Sequence, residues 1–216
     1  MDFLSTLRRD AFPPVDIHGW CDEPNFIRTF DSLVPSKSSP PLIIVEVGTW
    51  KGKSACMMAS HLKSRLKKAS IVCIDTWLGA PEFWTWGLDD PSRGISLDKR
   101  MGYPRVYETF IHNVKTLGHD DMIVPLPLSS IQAARVLKHH NVVPDIVYID
   151  AAHEEDAVYA DLEAFFPLGT GVMFGDDYVA WPGVRRAVDD FVKKHDLALS
   201  VSGEVWCVTK KNQAEH

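Results

Sequence analysis

The sequence predicts an α/β chain built on a doubly wound sheet of seven strands, mostly parallel, closed by a C-terminal antiparallel hairpin. Three observations predict it. From Leu42 onward, short apolar runs rich in β-branched residues alternate five times with segments of helical spacing, the pattern of a parallel sheet with helices on both faces. The runs are continuous rather than alternating, as strands buried on both faces require. Polar and acidic residues collect where these runs end, and open α/β sheets bind their ligands beyond the carboxyl ends of the strands.

The elements follow in order. Residues 1–40 hold Pro13, Pro14, Pro24, Pro35, Pro40 and the stretch PSKSSPP, so they read as an extension or linker, a lid or a dimer contact. Within them Asn25 to Leu33 has helical spacing of Phe26, Phe30 and Leu33. The domain proper runs over 41–216. LIIVEVG is its first strand, Lys53 to Lys67 a helix, and SIVCID the second strand. Residues 76–103 form an aromatic insert, and Pro104 to Leu117 a helix. MIVPLPL is a third strand weakened by Pro125 and Pro127, followed by a helix from Ser129 to His139 with Ser129 or Ser130 as its N-cap. DIVYID, the helix Glu154 to Phe166, GVMFGDDY and the helix Pro182 to His195 complete the alternation. LALSVSG and EVWCVTK form a hairpin about Gly203. Right-handed crossovers restrict such a series to a doubly wound sheet.

With 216 residues, 45% of them hydrophobic, the chain can bury one sizeable core. A net charge of -6 argues against nucleic acid as partner, since that needs a clustered basic surface. The basic stretch Lys63 to Lys68 falls late in a predicted helix, where cations complement the dipole. No apolar run approaches the roughly 20 residues of a membrane span. MDFLSTLRRDAFPP is not read as a secretory leader, because charge breaks its short apolar stretch. Cys56, Cys73 and Cys207 sit in apolar patterns, and with Cys21 they form no CxxC pair. They read as buried hydrophobes in a reducing, cytoplasmic setting.

The strand ends carry the chemistry. Glu46-Val47-Gly48 ends the first strand, and Gly48 and Gly52 bracket the turn that contains Thr49 and leads to Ser54. Glycine there permits positive φ and close approach of a ligand. GTWKGKS looks like a phosphate loop but has three residues where four are needed before Gly-Lys-Ser. The dinucleotide fingerprint fails too, because Trp50 occupies its second glycine position. A cofactor without a pyrophosphate needs neither motif. Asp75 ends the second strand, placed to accept hydrogen bonds from both hydroxyls of a ribose; capping a turn is its alternative use.

EVGTWKGKS followed by CIDTWLG resembles the first two motifs of the class I S-adenosylmethionine-dependent methyltransferases, a Rossmann-like family. The resemblance covers roughly residues 40 to 210. It implies that Glu46, Gly48 and Gly52, with Thr49 and Ser54 of the same loop, hold the methionine part of S-adenosyl-L-methionine. It implies Asp75 for the ribose, and Trp77, Ser129 and Ser130 for the adenine.

Asp150 ends the fourth strand and Asp176-Asp177 the fifth. If these strands are neighbours, three carboxylates converge, and like charges so placed call for a cation, protons or separation. A hard divalent ion such as Mg²⁺ takes oxygen ligands and keeps positions open for substrate. His153, three residues past Asp150, projects over the same crevice, and a neutral imidazole suits general-base work. Glu154, Glu155 and Asp156 favour the helix dipole instead. The pattern resembles the metal-dependent O-methyltransferases, both the group of catechol O-methyltransferase and the macrocin and mycinamicin sugar enzymes. That resemblance implies Asp150, Asp176 and Asp177 as metal ligands, His153 and Asp150 as catalytic groups, and a small hydroxylated molecule as acceptor. The aromatic insert (Trp77, Phe83, Trp84, Trp86) reads either as a lid over that acceptor or as packing against the sheet or a second subunit of a homo-oligomer. Three rivals remain: a phosphotransferase, a cofactor-binding module without methyl transfer, and a chain of the same fold using the acids for other chemistry.

Overall fold

The computed structural model describes residues 15–35, 41–85, 97, 99–169 and 171–211. Its elements are α1 (Glu23–Leu33), β1 (Leu42–Val47), α2 (Lys53–Ser64), β2 (Ala69–Ile74), α3 (Pro81–Thr85), α4 (Val106–Thr116), β3 (Ile123–Leu126), α5 (Ser130–His139), β4 (Ile146–Ile149), α6 (Glu155–Phe165), β5 (Val172–Gly175), α7 (Pro182–His195), β6 (Leu197–Ser202) and β7 (Val205–Lys210). A 3₁₀ turn, Phe166–Leu168, follows α6.

The seven strands lie in the order β3-β2-β1-β4-β5-β7-β6. The first five are parallel, and β7 is antiparallel to both β5 and β6. The chain therefore winds outward from β1 in one direction and from β4 in the other. The crevice between the exits of β1 and β4 is the switch point at which such sheets bind ligands.

Successive strand residues face opposite sides of the sheet, and the sides bury separate clusters. Ile44, Ile71, Cys73, Tyr148 and Phe174 meet α1, α2 and α4 on one side. Val45, Val47, Val147, Ile149 and Met173 meet α5, α6 and α7 on the other. Pro125 is accommodated because β3 is an edge strand, where a missing ladder donor costs least. Cys56, Cys73 and Cys207 are buried and unpaired, as the apolar patterns predict.

The expected boundary at residue 40 does not separate two packed units. Phe26 and Phe30, one helical turn apart on α1, are fully buried. Phe26 meets Tyr148 of β4 at 5.0 Å between ring centroids, and both rings pack on Phe174 of β5. The α1 segment is thus part of the main core. Part of the PSKSSPP stretch, residues 36–40, lies outside the described residues, as do 1–14. Helix α4 begins at Val106, two residues later than Pro104 predicts. Ser129 occupies the N-cap of α5 but makes no capping bond; its hydroxyl donates to Gln132 Oε1 instead.

Gly175 ends β5 in a place with no room for a side chain. A Cβ there would stand 2.3 Å from the Ile149 carbonyl oxygen and 2.3 Å from the Trp206 ring. Gly175→Ala is expected to cost about 2 kcal/mol of stability through overpacking. Urea unfolding measures it, and a midpoint equal to that of the wild type overturns the packing argument.

Candidate active site

A cavity of about 910 Å³ opens at the carboxyl ends of β1, β2, β3 and β4. Its size suits a ligand larger than a single metabolite ring. Gly48, Thr49, Ser54, Asp75, Ser129, Ser130, Asp150, His153 and Asp177 all line it. These are most of the residues that the strand ends single out.

The loop after β1 is shaped by left-handed backbone at Gly48 (φ 87), Trp50 (φ 50) and Gly52 (φ 87). Glu46 is fully buried beneath this loop and does not reach the cavity. Its carboxylate accepts Thr49 Oγ1 at 3.0 Å, the Ser54 hydroxyl and the Cys73 thiol. Glu46 thus braces the loop rather than touching a ligand. Gly52 also stands back from the cavity; a Cβ there would meet the Phe110 ring at 2.9 Å.

Asp75 is at the rim, with its carboxylate oriented by two backbone donors, Trp50 N at 2.8 Å and Trp77 N at 2.7 Å. Burial raises its pKa, and those amides oppose the rise. Trp77 is not at the cavity. Its ring is buried against Tyr107 and Phe110, and its indole N–H donates to the Trp50 carbonyl. The adenine contact expected of it is therefore replaced by a structural one. Of the aromatic insert, Phe83 lines the cavity and packs on Trp50 at 4.7 Å. Trp84 is exposed under Lys99, and Trp86 lies outside the described residues.

At the other side of the crevice Asp150, His153 and Asp177 offer donor atoms that all lie within 4.8 Å of one another. His153 Nε2 is 3.0 Å from Asp177 Oδ2. Its ring stacks on Trp181 at 4.2 Å between centroids and 9° between planes. Tyr148 donates its hydroxyl to Asp150 Oδ2 at 3.0 Å. Burial pushes the Asp150 carboxyl well up, and the Asp177 and Asp176 carboxylates push it further; the Tyr148 hydroxyl and His153 oppose them.

Asp176 does not join the cluster, contrary to its expected place among metal ligands. Its side chain accepts the amides of Asp22, at 3.2 Å, and of Asp177. Burial pushes it up to about 6 against those two amides. The reason is local backbone: Asp177 has φ 68, which turns its carboxylate toward His153 and leaves Asp176 pointing toward the α1 segment. Three further contributors escape the sequence reading. His18, Gly19, Trp20 and Cys21 form one wall. Lys53 Nζ reaches over to the Gly19 carbonyl and to Glu23. Trp181 backs His153. Lys53 stands inside the EVGTWKGKS motif and Trp181 four residues past Asp177, while the wall of residues 18–21 carries no motif.

A family described as a methyltransferase domain matches residues 45–178. The chain belongs to it. It is a class I S-adenosylmethionine-dependent methyltransferase. Its fold is shared by solved structures of low sequence identity. CalS11, a calicheamicin methyltransferase, is 16% identical with a TM-score of 0.61 over 88% of this chain and 80% of its own. The O-methyltransferase NovP is 17% identical with a TM-score of 0.63 over 87% of this chain and 78% of its own. MycE, a methyltransferase from the mycinamycin biosynthetic pathway in complex with Mg and SAH, is 16% identical with a TM-score of 0.52 over 98% of this chain and 55% of its own. A sequence search of the curated proteins gives no match.

The methyltransferase's cavity fits its cofactor on its own geometry. The Trp50 indole N–H, on a cavity-lining residue, is buried without a hydrogen-bond partner, a donor that a ligand oxygen would satisfy.

Glu46 gives this site a pH signature. Burial pushes its carboxyl up to about 7 from the ordinary 4.5, with Ser54 and Thr49 opposing. Between those values the folded chain holds a proton that the unfolded chain has lost, so stability falls as pH rises and levels above about 7. Glu46→Gln cannot titrate. It is expected to gain on the wild type across this window, by up to about 3 kcal/mol at roughly 1.4 per pKa unit. Chemical unfolding at successive pH values measures the difference, and parallel curves would refute the assignment.

Proposed function

We propose that this methyltransferase transfers the methyl group of S-adenosylmethionine to a hydroxyl oxygen of a small molecule, with Mg²⁺ held by Asp150 and Asp177. One observation carries the reading: the Asp150–His153–Asp177 cluster stands in the same cavity as Gly48 and Asp75. Two carboxylates that crowd each other in a partly buried place are stabilised by a cation, and carboxylate oxygens suit a hard divalent ion. The O-methyltransferase NovP and the Mg complex of MycE have the same fold, which agrees with both halves of the proposal.

When bound, S-adenosylmethionine supplies an electrophilic methyl group, and a divalent cation lowers the pKa of a hydroxyl. The chain's own residues do the rest. The Gly48–Thr49 turn and Asp75 fix one reactant. Much of the acceleration in such a transfer comes from holding two reactants in line. His153 is held against the Trp181 face and beside Asp177 Oδ2. Beside the two carboxylates, the His153 imidazole is the group that takes the acceptor's proton. The aromatic residues His18, Trp20, Phe83 and Trp181 that line the cavity suit a ring-bearing acceptor.

The phosphotransferase alternative loses ground for a concrete reason. Lys53 and Ser54, the residues a phosphate would need, are engaged by Gly19 and Glu23 and by Glu46. Unpaired cysteines and the absence, among the described residues, of a helix long and apolar enough to cross a membrane agree with a cytoplasmic location.

Asp177→Ala is expected to abolish methyl transfer, as is a chelator, while calorimetric binding of S-adenosylhomocysteine stays near the wild-type value. Activity that survives both treatments sinks the metal role. His153→Gln is expected to lose about 10² to 10⁴ in turnover, the usual worth of a general base. Manganese affinity, read by paramagnetic resonance, should be retained in that variant; if it collapses instead, His153 is a ligand and not the base.

A further inference from the structure

Behind the cavity wall of His18 to Cys21, one side chain joins two segments far apart in sequence. Asn113, on α4, is fully buried. Its Oδ1 accepts the Asp16 amide at 3.2 Å. Its Nδ2 donates to the Asp16 carbonyl at 2.8 Å and to the Lys51 carbonyl at 2.9 Å. A primary amide offers two N–H donors and one acceptor group. Here they are divided between the segment that leads into the wall and the glycine loop after β1. Lys51 closes the ring of bonds, since its buried side chain reaches back to Asp16 Oδ2 at 2.5 Å. Phe110 lies three residues before Asn113, on the same face of α4, and its ring stands against Gly52 of the same loop.

The wall depends on such fastening. Residues 15–22 form no helix or strand, and segments with few bonds of their own open first. Side chains from elsewhere hold this one: Asn113 and Lys51 at Asp16, Lys53 at the Gly19 carbonyl, and Asp176 at the Asp22 amide. Lys51 belongs to the glycine loop, and Lys53 is the first residue of α2 that follows it. Asn113 alone binds the backbone of both the segment and the loop.

We infer that Asn113 is a positioning residue: it couples the wall of residues 18–21 to the glycine loop, so that a ligand seated on the loop steadies the wall that shares the cavity with Asp150. The inference takes the loop as the seat of the cofactor, as the proposed function does, and needs neither the metal nor the acceptor. Coupling of this kind is reciprocal. What orders the loop orders the wall.

Asp16, Lys51 and Asn113 do not line the cavity, so a ligand inside it does not shield the Asp16 amide by contact. Hydrogen exchange at that amide, followed by NMR before the buried strands begin to exchange, is compared with and without S-adenosylhomocysteine. At about a hundred times the dissociation constant of each protein, linkage allows a slowing of up to about 100-fold, and about tenfold or more is expected in the wild type. In Asn113→Leu the amide should exchange faster, and the effect of the ligand should vanish although calorimetry shows it bound. A merely structural role would speed exchange and leave the ligand's effect in place, and that result overturns the inference. So does a wild type whose Asp16 amide ignores the ligand. If the leucine variant does not fold, Asn113→Asp is read in the same way; it keeps the size and the acceptor but loses the N–H bond to the Lys51 carbonyl. A wild type that does not bind S-adenosylhomocysteine in the calorimeter has lost the proposed cofactor seat itself, and the inference falls with it.

Discussion

The site depends on a single close approach. A Cβ on Gly48 would stand 2.0 Å from the carbonyl oxygen of Asp150, a distance no other residue tolerates. The contact lies where parallel β1 and β4 leave the sheet, with Val47 level with Ile149. Gly48 N donates back to the Ile74 carbonyl and Asp150 N to that of Val47, so both exits are pinned by backbone bonds. Because the two backbones nearly touch, the glycine loop after β1 and the acid that begins the Asp150–His153–Asp177 cluster are one place. A bulkier residue at 48 would separate them, and its positive φ would add strain.

Around this junction the polar groups divide by depth. Glu46 lies below the loop and holds it from beneath through Thr49 and Ser54. Asp75 is held by backbone amides at the rim. Asp150, His153 and Asp177 face the open space. Burial raises the carboxyl pKa at Glu46, Asp75 and Asp150 alike; the Asp75 carboxylate adds to the rise at Glu46, and those of Asp177 and Asp176 add to the rise at Asp150. A carboxylate is therefore a brace beneath the loop at Glu46, a group held by backbone amides at Asp75 and a member of the acidic cluster at Asp150, according to what surrounds it.

The parallel sheet and its polar edge were legible because parallel strands buried on both faces must be continuous apolar runs, and those runs end in the polar residues that meet at the crevice. What was not legible depends on a single dihedral or a single helical turn. Asp176 and Asp177 are adjacent and chemically alike; φ 68 at Asp177 sends one carboxylate to His153 and leaves the other for Asp22. Trp77 reads as a ligand contact from its place after β2, yet a left-handed backbone (φ 53) tucks it into the core beneath Tyr107. Proline content disguised the first part of the chain, although Phe26 and Phe30 gave the helical spacing that buries them.

That first part has a consequence for how the protein is handled. The stretch from Asp16 to Asp22 is tethered at both ends. Asp16 is bound to Lys51 and to the Asn113 side chain, and Asp22 is bound to Asp176. Between the tethers, His18 to Cys21 form a wall of the cavity. Residues some 130 positions away from Asp150 in sequence are its neighbours across the crevice. A purification tag, a truncation or a fusion near Asp16 is therefore an alteration of the cavity's wall, although in the sequence it lies far from the acids across from it.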